Sequence, residues 1–384
     1  MADAKLSALT ELAATPATDD EIYIRDVSEA AASESKRITY ANLVANNLPN
    51  RNAIINGCFR VAQRGTAFTA ATTPANSDDT YLLDRWVLLS DGNDIVDVNQ
   101  VTTPVPTGAY SAASFLIATQ DKKFGILQVL EAKDAARFIG GTVSLSFKAR
   151  MGASGTSTLL RAAVLAWSST ADTVTSDVVS AWGAEGTNPT LAANWTTENT
   201  PAALTALTAD YQTYKIERIS IDTASTTNIA VFIWSDDMTN AAGDLVYITD
   251  IQLELGSVAT PFEFRSYQQE RSLCQRLYRR ITPDSTSDVF GVGFLYATET
   301  PVVYIPFPVT MRAIPTLETS GTAADYRLLT GASFTVYTVA PSINQASVDG
   351  AFLIGTIGTT GAAADGCVMD AANTNAFIGF TAEL

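Results

Sequence analysis

Apolar and polar positions alternate with a two-residue period along much of this chain, the pattern of strands with one buried and one wet face. Val143, Leu145, Phe147 and Ala149 alternate with Thr142, Ser144, Ser146 and Lys148. Ile229, Val231 and Ile233 repeat the pattern, and Ile251, Leu253 and Leu255 oppose Asp250, Gln252 and Glu254. Thr, Ser, Ala and Gly fill the connections, and no amphipathic helix longer than about three turns interrupts them. Residues 50–265 therefore predict one β-sandwich of jelly-roll type. Upstream, residues 21–27 alternate as a half-exposed strand, 36–40 predict a second strand and 41–47 a helical turn. Residues 1–48, set off by Leu48-Pro49-Asn50, hold too few large apolar side chains for a core of their own, so this small module needs a partner surface or copies of itself.

At 267–281 a 3.5-residue seam replaces the alternation: Tyr267, Cys274, Leu277 and Ile281 fall on it, with Leu273 and Tyr278 beside it. This predicts a linking helix over 266–282. Arg265, Arg271, Arg276, Arg279 and Arg280 gather positive charge there. Two readings stay open. The helix packs on its own sandwich with a solvated face, or it lies at a symmetry axis where Tyr267, Cys274, Leu277, Ile281, Arg276 and Arg280 contact neighbouring subunits. Residues 283–384 return to strands, around 290–296, 302–309, 326–340 and 376–384, and form a second β domain. Pro306, Pro308 and Pro315 suit strand edges or ends, and the last strand is expected in a sheet or subunit contact. The expected fold class is mainly β: a jelly-roll-like sandwich, a C-terminal β domain, a small N-terminal module and one short linking helix.

Composition narrows the chemistry. The 384 residues include no histidine, which removes the commonest general base and metal ligand, and with them Ser-His-Asp hydrolases and zincins. A hydrophobic fraction of 47% against 17% charged belongs to an ordered globular chain. The net charge of −16 opposes nucleic acid and anionic membrane surfaces. Cys58, Cys274 and Cys367 are far apart, which favours buried free thiols over a disulfide framework or zinc site. The start shows no basic stretch followed by an apolar one, and no apolar run approaches the ~18 residues of a bilayer span. The expectation is synthesis in a cytoplasm without a cleaved signal, and no membrane insertion.

Motifs offer little. Ser33-Glu-Ser-Lys36 has the Ser-x-x-Lys spacing but lacks the companion motifs that give it chemistry. No phosphate loop, dinucleotide fingerprint or nucleophile elbow occurs, and nothing selects a hydrolytic pair among the carboxylates. No catalytic residue or cofactor is expected. Asp78 and Asp79 with Asp84, and Asp236 and Asp237 with Asp244, offer hard oxygen ligands of the kind calcium takes, although loop carboxylates are usually just solvated. Trp167, Trp182 and Trp195 border or occupy a Ser/Thr/Ala-rich stretch. They either stack on sugar rings from exposed loops or anchor those loops to the sandwich.

Several stretches are similar to known proteins. The opening Lys5-Leu-Ser-Ala-Leu-Thr-Glu-Leu12, then Asp19-Asp-Glu-Ile-Tyr-Ile24 and Ser35-Lys-Arg-Ile-Thr-Tyr-Ala-Asn-Leu43, resembles the N-terminal segment of tailed-phage fibre and appendage proteins. Asn52-Ala-Ile-Ile-Asn-Gly-Cys-Phe-Arg-Val-Ala-Gln-Arg-Gly-Thr66 and Tyr81-Leu-Leu-Asp-Arg-Trp86 look like the start of a β-sandwich domain found in them. Ile248-Thr-Asp-Ile-Gln-Leu-Glu-Leu-Gly256, Pro261-Phe-Glu-Phe-Arg265, Arg271-Ser-Leu-Cys-Gln-Arg-Leu-Tyr278 and the terminal Phe-Thr-Ala-Glu-Leu384 resemble its end. The resemblance implies a homotrimeric virion protein with a sandwich similar to carbohydrate-binding modules facing a host surface glycan. Its N-terminus docks on another virion protein, at the tail or the capsid. For that attachment the module offers Leu6, Leu9, Ile22, Tyr23, Ile24, Ile38 and Leu43.

Overall fold

The period-two stretches are strands in the computed structural model, which describes residues 21–25, 35–39, 50–152, 159–236, 240–331, 333–358 and 361–384. Near the N-terminus Glu21–Arg25 pairs antiparallel with Ser35–Thr39 in a register that sets Ile22 against Ile38 and Ile24 against Lys36. Ile22 is exposed. Leu6, Leu9, Leu43 and the expected turn at 41–47 lie outside the described residues.

Two six-stranded antiparallel sheets form the sandwich. One runs Trp195–Thr197, Leu160–Trp167, Asn228–Ser235, Phe124–Leu130, Val87–Ser90 and Thr80–Tyr81. The other runs Gln212–Ser220, Thr142–Met151, Leu245–Leu255, Ala112–Ile117, Val96–Val101 and Ala67–Phe68. Phe68, Trp86, Phe115, Phe124, Phe147, Ile233 and Leu253 pack between them. The second sheet keeps the expected wet face along its edge strand Gln212–Ser220, but Ser144, Ser146, Asp250, Gln252 and Glu254, expected to face water, are buried. The first departs further, because Leu160–Trp167, Asn228–Ser235 and Phe124–Leu130 are buried along their whole length. A second core explains this: the excursion after Trp167 folds back over the sheet, and Val178, Trp195 and Leu191 pack on Leu165, Ala230, Phe232 and Trp234. Strands covered on both faces read as apolar runs instead of alternating.

The predicted helix is shorter than its seam. It starts at Ser266, whose side chain accepts from the Gln269 N–H, and ends at Gln275. Tyr278–Ile281 is a strand paired with Ile378–Thr381, which pairs in turn with Thr316–Thr319. The seam misleads because Leu277 and Tyr278 are fully buried by contacts from the far end of the chain, which no local periodicity encodes. Beyond it Val289–Ala297, Thr300–Pro306, Gly350–Ile357, Ser333–Ala346, Tyr326–Thr330 and Gly366–Ala371 close a six-stranded barrel. Leu295, Ile305, Leu328, Leu353 and Met369 fill it. Gly293 permits the close approach of its first hairpin, since a Cβ there would stand 1.9 Å from the Val302 carbonyl oxygen.

The C-terminus returns to the sandwich. The Tyr81 hydroxyl donates to the Leu384 carbonyl (2.7 Å), and Ala382 N–H donates to Leu277 O (2.7 Å). Glu383, its side chain 5% exposed, is ion-paired to Arg85 and lies 3.7 Å from Arg64, both buried. Arg64 also stacks on the Tyr278 ring at 3.4 Å. All three cysteines are buried and free, as the spacing predicts. Burial pushes the Cys58 thiol up to about 12 and that of Cys367 to about 11, which keeps them from acting as thiolates.

Removing one partner of a buried ion pair leaves the other charge uncompensated, at a cost of about 3–5 kcal/mol. Glu383→Ala is therefore expected to lower the unfolding free energy by about that amount in chemical denaturation, because Arg85 stays buried. A loss no larger than that of an exposed Glu→Ala control would show that the cluster does not hold the two domains together.

Candidate binding cleft

The outer face of the second sheet carries the clearest site, built where Leu245–Leu255 departs from regular pairing. Between Thr249 and Gln252 the register against Thr142–Met151 slips, and Asp250 takes a positive φ of 54°. Such a bulge re-aims a side chain. Asp250 is buried, and its Oδ2 accepts from Lys148 Nζ at 2.9 Å. Its Oδ1 is buried with no hydrogen-bond partner.

After Leu255 the chain doubles back across the end of the same face. The buried Glu254 carboxylate holds this strap, accepting from Thr260 N–H (2.7 Å) and the Thr260 hydroxyl (2.7 Å). Gln252 donates to Glu254 (2.8 Å) and accepts from Glu263 N–H (2.8 Å). These bonds set Phe262 and Phe264 edge to face, 4.9 Å between centroids, with Phe264 half exposed. Between strap and sheet lies a cleft of about 520 Å³ lined by Ser146, Lys148, Thr213, Lys215, Asp250, Thr260, Phe262 and Phe264. Along the same face the Arg150 guanidinium sits between the Tyr211 and Tyr247 rings, at 5.7 and 5.5 Å. An aromatic wall over a floor of hydroxyls, ammonium and one carboxylate suits a ligand with one apolar face and many hydroxyls.

None of the sequence-selected tryptophans reaches this cleft. Trp167 and Trp195 are buried and pack on each other at 5.2 Å. Their indole N–H groups donate to the Thr170 and Thr175 carbonyls. Trp182, partly buried, packs on Phe232 at 6.1 Å. Of the two readings of these rings, stacking on sugar from exposed loops is corrected and anchoring holds: they tie the loop to the outer core. Phe262 and Phe264 gave no periodic signal; the sequence mark was an aromatic pair flanking a glutamate just after a strand.

The calcium candidates are also reassigned. Asp236 is buried between Lys123 (3.0 Å) and Arg161 (2.6 Å), so its two oxygens face cations already. Arg161 extends from there to the Gly186 and Pro201 carbonyls, pinning the excursion. Asp78 accepts from Ser90 N–H (2.7 Å). Among the described residues no group of three or more acidic or cysteine side chains is arranged to hold a metal, and Asp237 lies outside them.

The trimer-contact set is largely consumed within the chain. Cys274 and Leu277 are fully buried, and Arg276 makes a two-pronged pair with Glu131 (3.1 and 2.8 Å). Arg280 lies 3.6 Å over the Phe377 ring. Ile281 sits in the Tyr278–Ile281 strand and packs on the C-terminal core. Tyr267 alone of the six is exposed.

No family model matches this sequence, and no curated protein matches it. Among solved structures, the enzymatically active domain of bacteriophage CBA120 tailspike protein 4 is similar at 10% identity and TM-score 0.33, over 54% of this chain and 22% of that one. TmCBM61 in complex with β-1,4-galactotriose is similar at 14% identity and TM-score 0.30, over 54% of this chain and 100% of that one. The CBM22-1 xylan-binding domain from Paenibacillus barcinonensis Xyn10C is similar at 12% identity and TM-score 0.29, over 48% of this chain and 94% of that one.

Asp79 supplies a pH test. Burial first, then the Asp177 and Asp78 charges, push its carboxyl up, against a hydrogen bond from Ser176. A carboxyl raised on folding resists ionisation, so stability falls as pH rises through the ordinary carboxylate range and returns on acidification. Asp79→Asn should therefore raise Tm at neutral pH and lose that advantage near pH ~4. Melting curves across that range check this; a pH-independent difference would contradict it.

Proposed function

We propose that this chain is a glycan-binding structural protein of a phage particle, a homotrimeric fibre that docks through its N-terminal module on the tail or capsid surface. The single observation that carries glycan binding is the 520 Å³ cleft with the Phe262–Phe264 wall and the Lys148–Asp250 floor. The particle context rests on the resemblance of 5–43 and 52–86 to appendage proteins. The protein is read as binding without cleaving: glycoside hydrolysis needs two carboxylates flanking the bond, and among the described residues Asp250 is the one acidic side chain lining the cleft.

Phe264→Ala removes half the wall while leaving the strap's polar anchors in place. It should weaken binding to host surface polysaccharide by roughly tenfold or more, as expected when a stacking aromatic is lost. Calorimetric titration with purified polysaccharide reads this directly, and no binding by the parent protein would sink the proposal. Incubation should release no new reducing ends; their appearance would make it an enzyme.

Support for self-association comes from the barrel instead of the helix. Paired positions Phe334, Leu329, Val368, Val292, Tyr304 and Phe352 run in register across its outer surface, strand to strand. Val292 is 60% and Phe334 53% exposed, and Tyr296 beside them is 72% exposed. An exposed apolar belt of this kind marks an interface. Its occupant is a second copy of the chain. The six barrel strands carry only Arg327 and Asp370, paired at 2.7 Å, so this is a face where chains of charge −16 meet without repulsion. The parent protein should scatter light as a trimer at micromolar concentration, and Val292→Asp with Phe334→Asp should yield monomers that retain glycan binding. A monomeric parent would overturn the assembly.

A further inference from the structure

A second cleft, of about 570 Å³, opens where the sandwich, the helix and the C-terminal domain meet, and its lining is mainly polar. Arg64, Arg271, Arg280 and Tyr267 line it, with Asp284 among them. Arg64 is balanced by Glu383 at 3.7 Å. Arg271 and Arg280 are not balanced: among the described residues neither has a carboxylate within ion-pair distance, although the chain carries 40 acidic side chains. The Arg280 Nη1 is spent on the Arg64 carbonyl (2.9 Å), but its Nε–H is buried with no acceptor. A buried donor without a partner is costly. The surplus charge is felt nearby, since the Arg279 guanidinium is pushed down, by burial first and then by Arg271. Tyr267 and Arg271 stand four apart on the helix, so ring and guanidinium share one face.

We propose that this cleft binds the carboxylate of an acidic sugar, a uronate unit, with Arg271 and Arg280 on the carboxylate and the exposed Tyr267 ring under the sugar's C–H face. The site shares with the proposed function only the idea of a glycan partner, and it uses no residue of the Phe262–Phe264 cleft. The probes are a galacturonate oligomer, the same oligomer with its carboxyls methyl-esterified, and inorganic phosphate, each titrated calorimetrically into the full chain. The acidic oligomer should bind, weaken as sodium chloride is raised, and lose roughly tenfold or more in affinity with Arg271→Gln, the loss of a charge-assisted bond. Arg271 is exposed, so that variant keeps its fold, which an unchanged melting temperature verifies; Arg280→Gln should act in the same direction. Phe264→Ala should leave this binding unchanged, separating the two sites. Equal binding of the esterified oligomer, equal binding of free phosphate, or no effect of Arg271→Gln would each overturn the assignment.

Discussion

Two arginines with almost no water around them, Arg64 and Arg85, set the constraint on which the rest of this molecule depends. Each needs an anion, and Glu383 supplies it from the second-to-last residue of the chain. Asp84 adds a buried carboxyl beside them, pushed up by burial and pulled back by the Arg64 charge and by hydrogen bonds from Gln63. Because the anion comes from the C-terminus, the final strand must return to the sandwich, with Leu384 against its outer core. The helix, the small three-stranded sheet and the arginine-lined cleft are all placed by that return.

The sandwich solves a different problem. One sheet has two apolar faces, and the excursion after Trp167 covers the second. The cover is pinned by the buried Lys123–Asp236–Arg161 group and by indoles turned inward. On the opposite sheet a bulge and a strap open a cleft. The covered face and the cleft thus lie on opposite sheets of the sandwich.

Charge distribution separates the remaining surfaces. Acidic side chains dominate overall, the barrel strands are nearly free of charge, and guanidiniums collect at the junction. Copies of like net charge repel least where charge is absent, and an acidic ligand is drawn most where cations outnumber their partners.

Much of this was legible in the residues. Alternation at 142–149 and 245–255 marked strands, because side chains in a strand alternate faces whatever the partner is, but it did not show that Ser144, Ser146, Asp250, Gln252 and Glu254 are buried instead of wet. The lack of histidine and the scattered cysteines limited the chemistry for the same local reason. The helix end, the inward tryptophans, the neutralised Asp236 and the cleft walls were not legible. Each depends on residues far apart in sequence coming together: Tyr278 with Thr381, Trp195 with Trp167 across the excursion, Asp236 with Lys123, and Phe262 lining one cleft with Lys148. Sequence by itself determined which residues want water and at what period. Tertiary structure decided which of them receive it, since exposure and charge balance are set by neighbours that chain closure, not local pattern, brings together.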